Sequence, residues 1–346
     1  MALSRNLNQQ SQSERWVNIG GPVSTARLDQ WLLDAAVNTP VDGLGNRAKH
    51  RLLRGLRRLR LIVSDPAVNC SVGAYNLRLP LSHELPFYRR KFPDYGFNLG
   101  RVSFHARQKY LDLTMIDVGA NIGDSVAIVH KYGDHPVLCL EGEPRFFQLL
   151  KQNTRTLPGV EIEQTFIGAP GDHIASVDVR RGNARVLLGP NPGRASICTL
   201  TEALARHPRF AAAKLLKIDA EGFDCRIIAA ETELLKGNKP ILFFEYYPTC
   251  SELVGQKAFP VFATLSSLGY SVILIYQNLG RYFMSLTLDQ LNTIEDLHHF
   301  ISDLEGYCDV VAFHREDLDI AINLRAAEYA SRTPTGPASN GHGRER

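Results

Sequence analysis

The chain has 346 residues, 44% of them hydrophobic, and its 39 basic and 36 acidic side chains leave a formal charge of +3. That length supports a full core and suits one catalytic domain with an N-terminal extension, and a charge so small sets up no global field for nucleic acid. No stretch approaches the roughly 18 uninterrupted apolar residues that span a bilayer, Met1 to Gly21 lack the apolar core of a signal peptide, and the six scattered cysteines include no C-x-x-C pair. A cytoplasmic protein without a disulfide framework or zinc site is expected.

Residues 1–20 are rich in Gln, Ser and Asn and are expected to be disordered. Residues 21–100 read as a helical extension with a cap or lid segment. Ser24 to Ala36 has helical spacing, with Leu28, Trp31, Leu32 and Ala35 on one face and Ser24 as its cap. Arg47 to Val63 is a basic amphipathic helix, with Leu52, Leu53, Leu56 and Leu59 among Arg47, Lys49, Arg51, Arg54, Arg57, Arg58 and Arg60. It reads either as a surface in weak contact with an anionic membrane or a phosphate-bearing substrate, or, in the plainer and preferred reading, as a docking helix whose arginines face water. Tyr75, Leu77 and Leu79 alternate as a short strand. After it, prolines with Tyr88, Arg89, Arg90, Phe92 and Tyr95 suit a wall or lid over a polar acceptor, or equally a segment packing the extension onto a sheet.

Over residues 101–330, strand and helix patterns alternate: strand 113–118 and helix 122–131, strand 137–141 and helix 144–154, then a third strand within 161–168. A hairpin is expected over 177–188, a loop at 190–193 and a short helix at 200–207. Strand 214–219, helix 224–235, strand 241–247, helix 256–268, strand 270–276 and a last strand at 309–313 complete the series. Such alternation predicts an α/β fold, a doubly wound, mostly parallel sheet with helices on both faces. Residues 331–346, rich in Pro, Gly, Ser and Arg, are expected to be a disordered tail.

Strand 113–118 delivers Asp117 into the turn Gly119-Ala120-Asn121-Ile122-Gly123-Asp124, the arrangement that places a ligand at the carboxyl end of a parallel sheet. A dinucleotide fingerprint starting at Gly119 would need glycines at 121 and 124, where Asn121 and Asp124 stand. A pyrophosphate wants bare amides, whereas acids beside the glycines suit an ammonium or sulfonium charge. Glu141 ends the next strand about 20 residues after the glycine turn, the spacing at which an acid accepts both hydroxyls of a ribose. A cationic amino-acid portion plus a ribose describes S-adenosylmethionine better than NAD, FAD or ATP.

Four strands end in an acid: Asp117, Glu141, Asp219 with Glu221, and Glu245. In a doubly wound sheet these ends share one edge, so the acids are expected to converge on one crevice. The blocks Ile-Asp-Val-Gly-Ala-Asn-Ile-Gly-Asp, Leu-Glu-Gly-Glu-Pro and Leu-Lys-Ile-Asp-Ala-Glu-Gly-Phe-Asp, in this order, resemble the FkbM family of S-adenosylmethionine-dependent methyltransferases over roughly Tyr75 to His314. One departure is Asp224, where many relatives have Glu.

The resemblance implies a Rossmann-like class I methyltransferase fold and methylation of a hydroxyl on a sugar, glycan or natural product. It implies that Asp117, Gly119, Asn121 and Gly123 contact the methionine moiety, Glu141 the ribose, and Ile167 or Gly168 the adenine, with Asp219 and Glu221 where donor and acceptor meet. An alcohol acceptor must lose its proton as the new bond forms, so a base is expected among Asp219, Glu221 and Glu245, with His105 a weaker candidate. No resident metal is expected, and Arg180, Arg181 and Arg185 read as solvated surface rather than as phosphate ligands. The competing readings are a binding protein that keeps the fold without turnover and a nucleotide-dependent oxidoreductase. Oligomeric state is not legible.

Overall fold

A computed structural model describes residues 23–180, 182–189 and 197–330. The ends expected to be disordered (1–20 and 331–346), the Ser24 cap, Arg181 and the loop 190–193 lie outside the described residues and side chains.

The N-terminal extension comprises α1 (Val23–Asn38), α2 (Leu44–Val63), a hairpin of β1 (Ala67–Val72) and β2 (Tyr75–Pro80), α3 (Leu85–Lys91) and α4 (Phe97–Lys109). The hairpin turns at Gly73, which takes φ +60°, with Val72 opposite Tyr75. The first helix buries a different face from the one predicted: Asp29, Leu32, Leu33 and Ala36 face inward while Leu28 and Trp31 are exposed. Positions 29, 32, 33 and 36 also have i, i+3, i+4, i+7 spacing, and the ion pair from Asp29 to Arg60 of α2 (2.7 Å) selects that face. The second helix likewise departs from the preferred reading, because Arg57 is buried and Arg60 turned inward.

The central sheet opens with β3 (Met115–Val118), α5 (Asp124–His130), β4 (Val137–Leu140), α6 (Pro144–Thr154) and β5 (Val160–Glu163). The sixth helix starts where Glu143 accepts from the amides of Arg145 and Phe146, with Pro144 in its first turn. The third predicted strand is split. Beyond Glu163 the chain leaves the sheet, and β6 (Phe166–Ile167) pairs with β9 (Ile197–Cys198), on either side of the hairpin β7 (Ile174–Arg180) and β8 (Asn183–Leu188). At the edge, Glu161 and Glu163 are drawn outward by His207 and Arg206.

The second half runs through α7 (Leu200–Arg206), β10 (Leu215–Ile218), α8 (Asp224–Ala230), α9 (Thr232–Asn238), β11 (Ile241–Tyr246), α10 (Pro248–Leu253) and α11 (Pro260–Ser267). The expected helix 224–235 breaks at Glu231, whose buried carboxylate accepts from both the amide and the hydroxyl of Thr201. The expected helix 256–268 begins only at Pro260, a residue suited to the first turn because it has no amide hydrogen to leave unpaired. The chain ends with β12 (Tyr270–Gln277), β13 (Tyr282–Thr287), α12 (Leu291–Asp303), β14 (Cys308–His314) and α13 (Leu318–Ala330).

The eight sheet strands stand in the order β13-β12-β14-β11-β10-β3-β4-β5. All are parallel except β14, inserted antiparallel between β11 and β12, and the edge strand β13. This is an α/β doubly wound, Rossmann-like arrangement, with helices on both faces. Alternation divides the core in two: Ile116, Val118, Leu138, Leu216 and Phe244 face one layer, and Met115, Cys139, Leu215 and Phe243 the other. The chain winds outward from β3 to β5 and then returns to the opposite side of β3 with β10, so a crevice opens between β3 and β10. Among the described residues, no helix is long and apolar enough to cross a membrane.

Candidate active site

Asp117 and Lys217 are register partners on β3 and β10 and point to the same face. Both are buried, and the Lys217 ammonium lies 3.0 Å from Asp117 Oδ1 and 3.3 Å from Asp219 Oδ2. Burial works against the ammonium, but the two carboxylates hold it charged, well above the usual lysine range. Burial pushes the Asp117 carboxyl up while Lys217 pulls it down. Asp117 thus lies beneath the crevice, locked to Lys217, and is not on its wall.

The loops after β3 and β10 touch backbone to backbone. A Cβ on Gly119, which takes φ +75°, would stand 1.9 Å from the carbonyl oxygen of Asp219, so only glycine lets the two loops meet. Asn121 is left-handed at φ +49°, a conformation asparagine tolerates, and its Nδ2 donates to the carbonyl of Gly182 (2.7 Å) in the hairpin. Gly123 lies behind the wall, its α-carbon facing Leu150 and Thr154 of α6.

Glu141 follows β4 and is buried. One carboxylate oxygen accepts from the amide of Asn121 (2.8 Å) and the other from that of Glu143 (2.7 Å), which leaves acceptor capacity on each oxygen of a side chain that lines the cavity. Burial pushes its carboxyl up to about 7, against the pull of those two amides. Beyond it the cavity becomes apolar, walled by Phe166, Ile167, Val186 and Ile197. Gly142 lies against the Phe166 ring, where a Cβ would stand 2.2 Å from the ring carbon.

Gly168 is not on this wall. Its amide donates to the Cys198 carbonyl (3.0 Å), because the split of the third strand turns Thr165, Phe166 and Ile167 toward the cavity instead.

The opposite end of the cavity is acidic. Asp219, Glu221 and Glu245 share it with Asp124, and Tyr88, Tyr95 and Tyr307 also line the cavity. Burial, then the charge of Asp219, pushes the Glu221 carboxyl up to about 7, against Arg185. Glu245 is also raised well above the usual carboxylate range, by burial and by Asp219, Asp224 and Glu221. Behind them Asp224, fully buried, accepts from the amides of Ala220 and Glu245 (3.2 Å each) and so ties the ends of β10 and β11 together. The Tyr88 and Tyr95 rings stack at 5.4 Å.

The structure therefore brings Gly119, Asn121, Glu141, Asp219, Glu221 and Glu245 to one cavity, together with Ile167. His105 is not on its wall; it lies on α4, beside the ring of Phe104. Arg180 pairs with the neighbouring Asp178 on the surface, and Arg185 donates to Cys250 Sγ, so neither is arranged for a phosphate.

Sequence reasoning did not single out His83, Thr165 or Lys217 as wall residues, whereas Asp124, read as an acid beside the glycines, does line the cavity. His83 Nδ1 accepts from the amide of Leu85 (3.1 Å), and burial lowers its pKa to about 4, so the ring is neutral. The Ser-His-Glu run gave a histidine but no sign that it would line the cavity.

No family model matches the chain, and no curated protein matches it. Among solved structures, it resembles a precorrin-6y C5,15-methyltransferase from Geobacter metallireducens at 14% identity and a TM-score of 0.31, covering 59% of this chain and 80% of that one. It also resembles methyltransferase FkbM from Methylobacillus flagellatus at 15% identity and a TM-score of 0.34, covering 58% of this chain but only 43% of that one. The METTL16 methyltransferase domain aligns over 84% of this chain and 91% of its own, at 11% identity and a TM-score of 0.43.

Proposed function

We propose that the chain is an S-adenosylmethionine-dependent O-methyltransferase of FkbM type, acting on a hydroxyl of a sugar, glycan or natural product. The observation that carries this reading is the union, at the switch point of the sheet, of a carboxylate suited to two vicinal hydroxyls with a cluster of acids one loop away. Glu141 keeps one acceptor site on each oxygen after binding two amides, which fits a ribose diol. The apolar end at Phe166, Ile167 and Val186 fits a purine, and the acids at the other end fit an ammonium and a sulfonium. The cofactor supplies an electrophilic methyl group on a good leaving group.

The chain's own residues bind, align and move one proton. The acceptor oxygen would take the methyl carbon as its bond to sulfur breaks and the thioether leaves, and the acceptor's O–H proton would pass to a carboxylate of this chain. Glu221, with a carboxyl poised near 7, is the best matched of the three candidates. Asp219 stays paired with Lys217, which suits positioning. Several acids on the wall disfavour an acceptor bearing a phosphate there. The cytoplasm is the proposed setting, where the six unpaired cysteines stay reduced.

Calorimetric titration with S-adenosylhomocysteine is the test. Wild type is expected to bind, and Glu141→Ala to lose about 10- to 100-fold in affinity, the worth of hydrogen bonds to a charged group. A folded protein that ignores this ligand and instead takes a nicotinamide nucleotide would replace the reading with an oxidoreductase.

A further inference from the structure

The second helix presents three lines of residues. Leu53, Arg57 and Arg60 face inward: Arg57 donates to the carbonyls of Leu81 and His83 and pairs with Glu84, and Arg60 pairs with Asp29. On the outward half, Leu52, Leu56, Leu59 and Val63 follow one another at steps of four, three and four residues, and Arg47, Arg51, Arg54 and Arg58 do the same. Both outward lines are exposed, Leu52 at 63% and Val63 at 82%, and Ile62 and Leu44 extend the apolar one. The helix contains no acid, and among the described residues none of the four outward arginines forms an ion pair. On α1, packed against it, Leu28 and Trp31 are also exposed.

Arg47 donates to the Val41 carbonyl and Arg54 lies over the Phe87 ring, but no carboxylate among the described residues neutralises the line, and an apolar stripe left in water beside it is costly unless something covers it. We propose that the outward half of α2, with Leu28 and Trp31 of α1, docks on an anionic lipid bilayer. Leucines enter the acyl boundary, arginines meet headgroup phosphates, and a tryptophan sits at the interface.

Charge selects this occupant over others. The chain before α1, residues 1–22, carries only Arg5, Glu14 and Arg15 as charged side chains and cannot neutralise four arginines. A second copy on the same face would set arginine lines beside each other, and a nucleic acid would leave the leucine line in water. Arg57 ties this helix to His83 and Glu84 on the cavity wall, so a docked protein would hold its lid segment close to the membrane.

The test is flotation of the full chain with vesicles of phosphatidylcholine, with and without phosphatidylglycerol, at low and high salt. Binding about tenfold stronger to the anionic vesicles is expected, weakened by salt. Leu52→Gln with Leu59→Gln and Ile62→Gln should abolish it, while Arg47→Gln with Arg51→Gln and Arg58→Gln should remove only the preference for anionic lipid. These side chains are exposed, so unchanged thermal unfolding shows that the variants fold. The proposal fails if neither vesicle is bound, if both triple variants bind as wild type does, or if sedimentation shows a dimer that the leucine variant dissociates. Stronger, leucine-independent binding to RNA would likewise overturn it.

Discussion

At the scale of single residues, the site depends on contacts that leave little tolerance. Gly119→Ala puts a methyl group into the Asp219 carbonyl and strains a positive φ, so it is expected to cost about 1–3 kcal/mol or more of stability, read from the shift of a urea unfolding midpoint. The same substitution should weaken cofactor binding, because the two loops can no longer approach.

Glu221 gives a pH signature. If it takes the acceptor's proton, it acts as carboxylate, and kcat/KM should rise as pH passes about 7; Glu221→Gln should remove that limb. An acid limb that survives the substitution unchanged would shift the role to Glu245 or Asp219. Stability should move in the other sense. Glu141 and Glu221 keep their protons up to about 7 in the fold, whereas the unfolded chain releases them near ~4.3. The folded state binds more protons across that window. The stabilisation is therefore full below the unfolded value and lost as pH rises toward 7, and denaturant titrations across that range should show the decline.

At the scale of elements, α2 works as a bracket for the cavity wall. Arg57 places its guanidinium over the Phe87 ring at 4.7 Å while bonding to Leu81, His83 and Glu84. Arg57→Ala leaves buried carbonyls and a carboxylate without partners, and about 3 kcal/mol of destabilisation is expected. Because His83 and Glu84 line the cavity, the cofactor Kd should rise as well, measured by calorimetry below the melting range. Arg57→Lys should recover only part of either loss, since an ammonium cannot span three acceptors in one plane.

The breaks in predicted elements have a common origin. Glu231 divides one expected helix because its carboxylate is needed by Thr201, 30 residues away, and the third strand ends because Phe166 and Ile167 pair with residues 197–198. Local periodicity carries no information about either partner.

At the scale of the whole molecule, the extension and the sheet share one cavity, with Tyr88 and Tyr95 on one side and Glu141 and Glu245 on the other. A ligand there stabilises both at once. At S-adenosylhomocysteine 100-fold above its Kd, about 2.7 kcal/mol is expected. Far-UV circular dichroism, dominated by the sheet and its helices, and tryptophan fluorescence, which includes Trp31 of α1, should report the same upward shift in Tm. Two separated transitions, with only one moved by ligand, would mean that the extension folds apart from the site.

The sequence alone determined the parts of this protein written as contiguous patterns. Alternating strand and helix periods dictated a doubly wound α/β sheet, and the strand-final acids with the turn at Gly119 pointed to the edge where the cavity lies. These were legible because a parallel strand, its turn and its helix are neighbours in the chain, and because the topology sends every strand end to the same side. Tertiary structure alone decided which groups line the cavity. Asp117 has the motif position but is taken by Lys217, 100 residues on; Gly168 yields to Ile167 at a break in the strand; and His83 reaches the wall because Arg57 holds its carbonyl. It also decided which face of each N-terminal helix is buried, since Asp29 and Arg60 meet only once the two helices pack. In each case the deciding partner is distant in sequence, and its pull outweighs the local pattern.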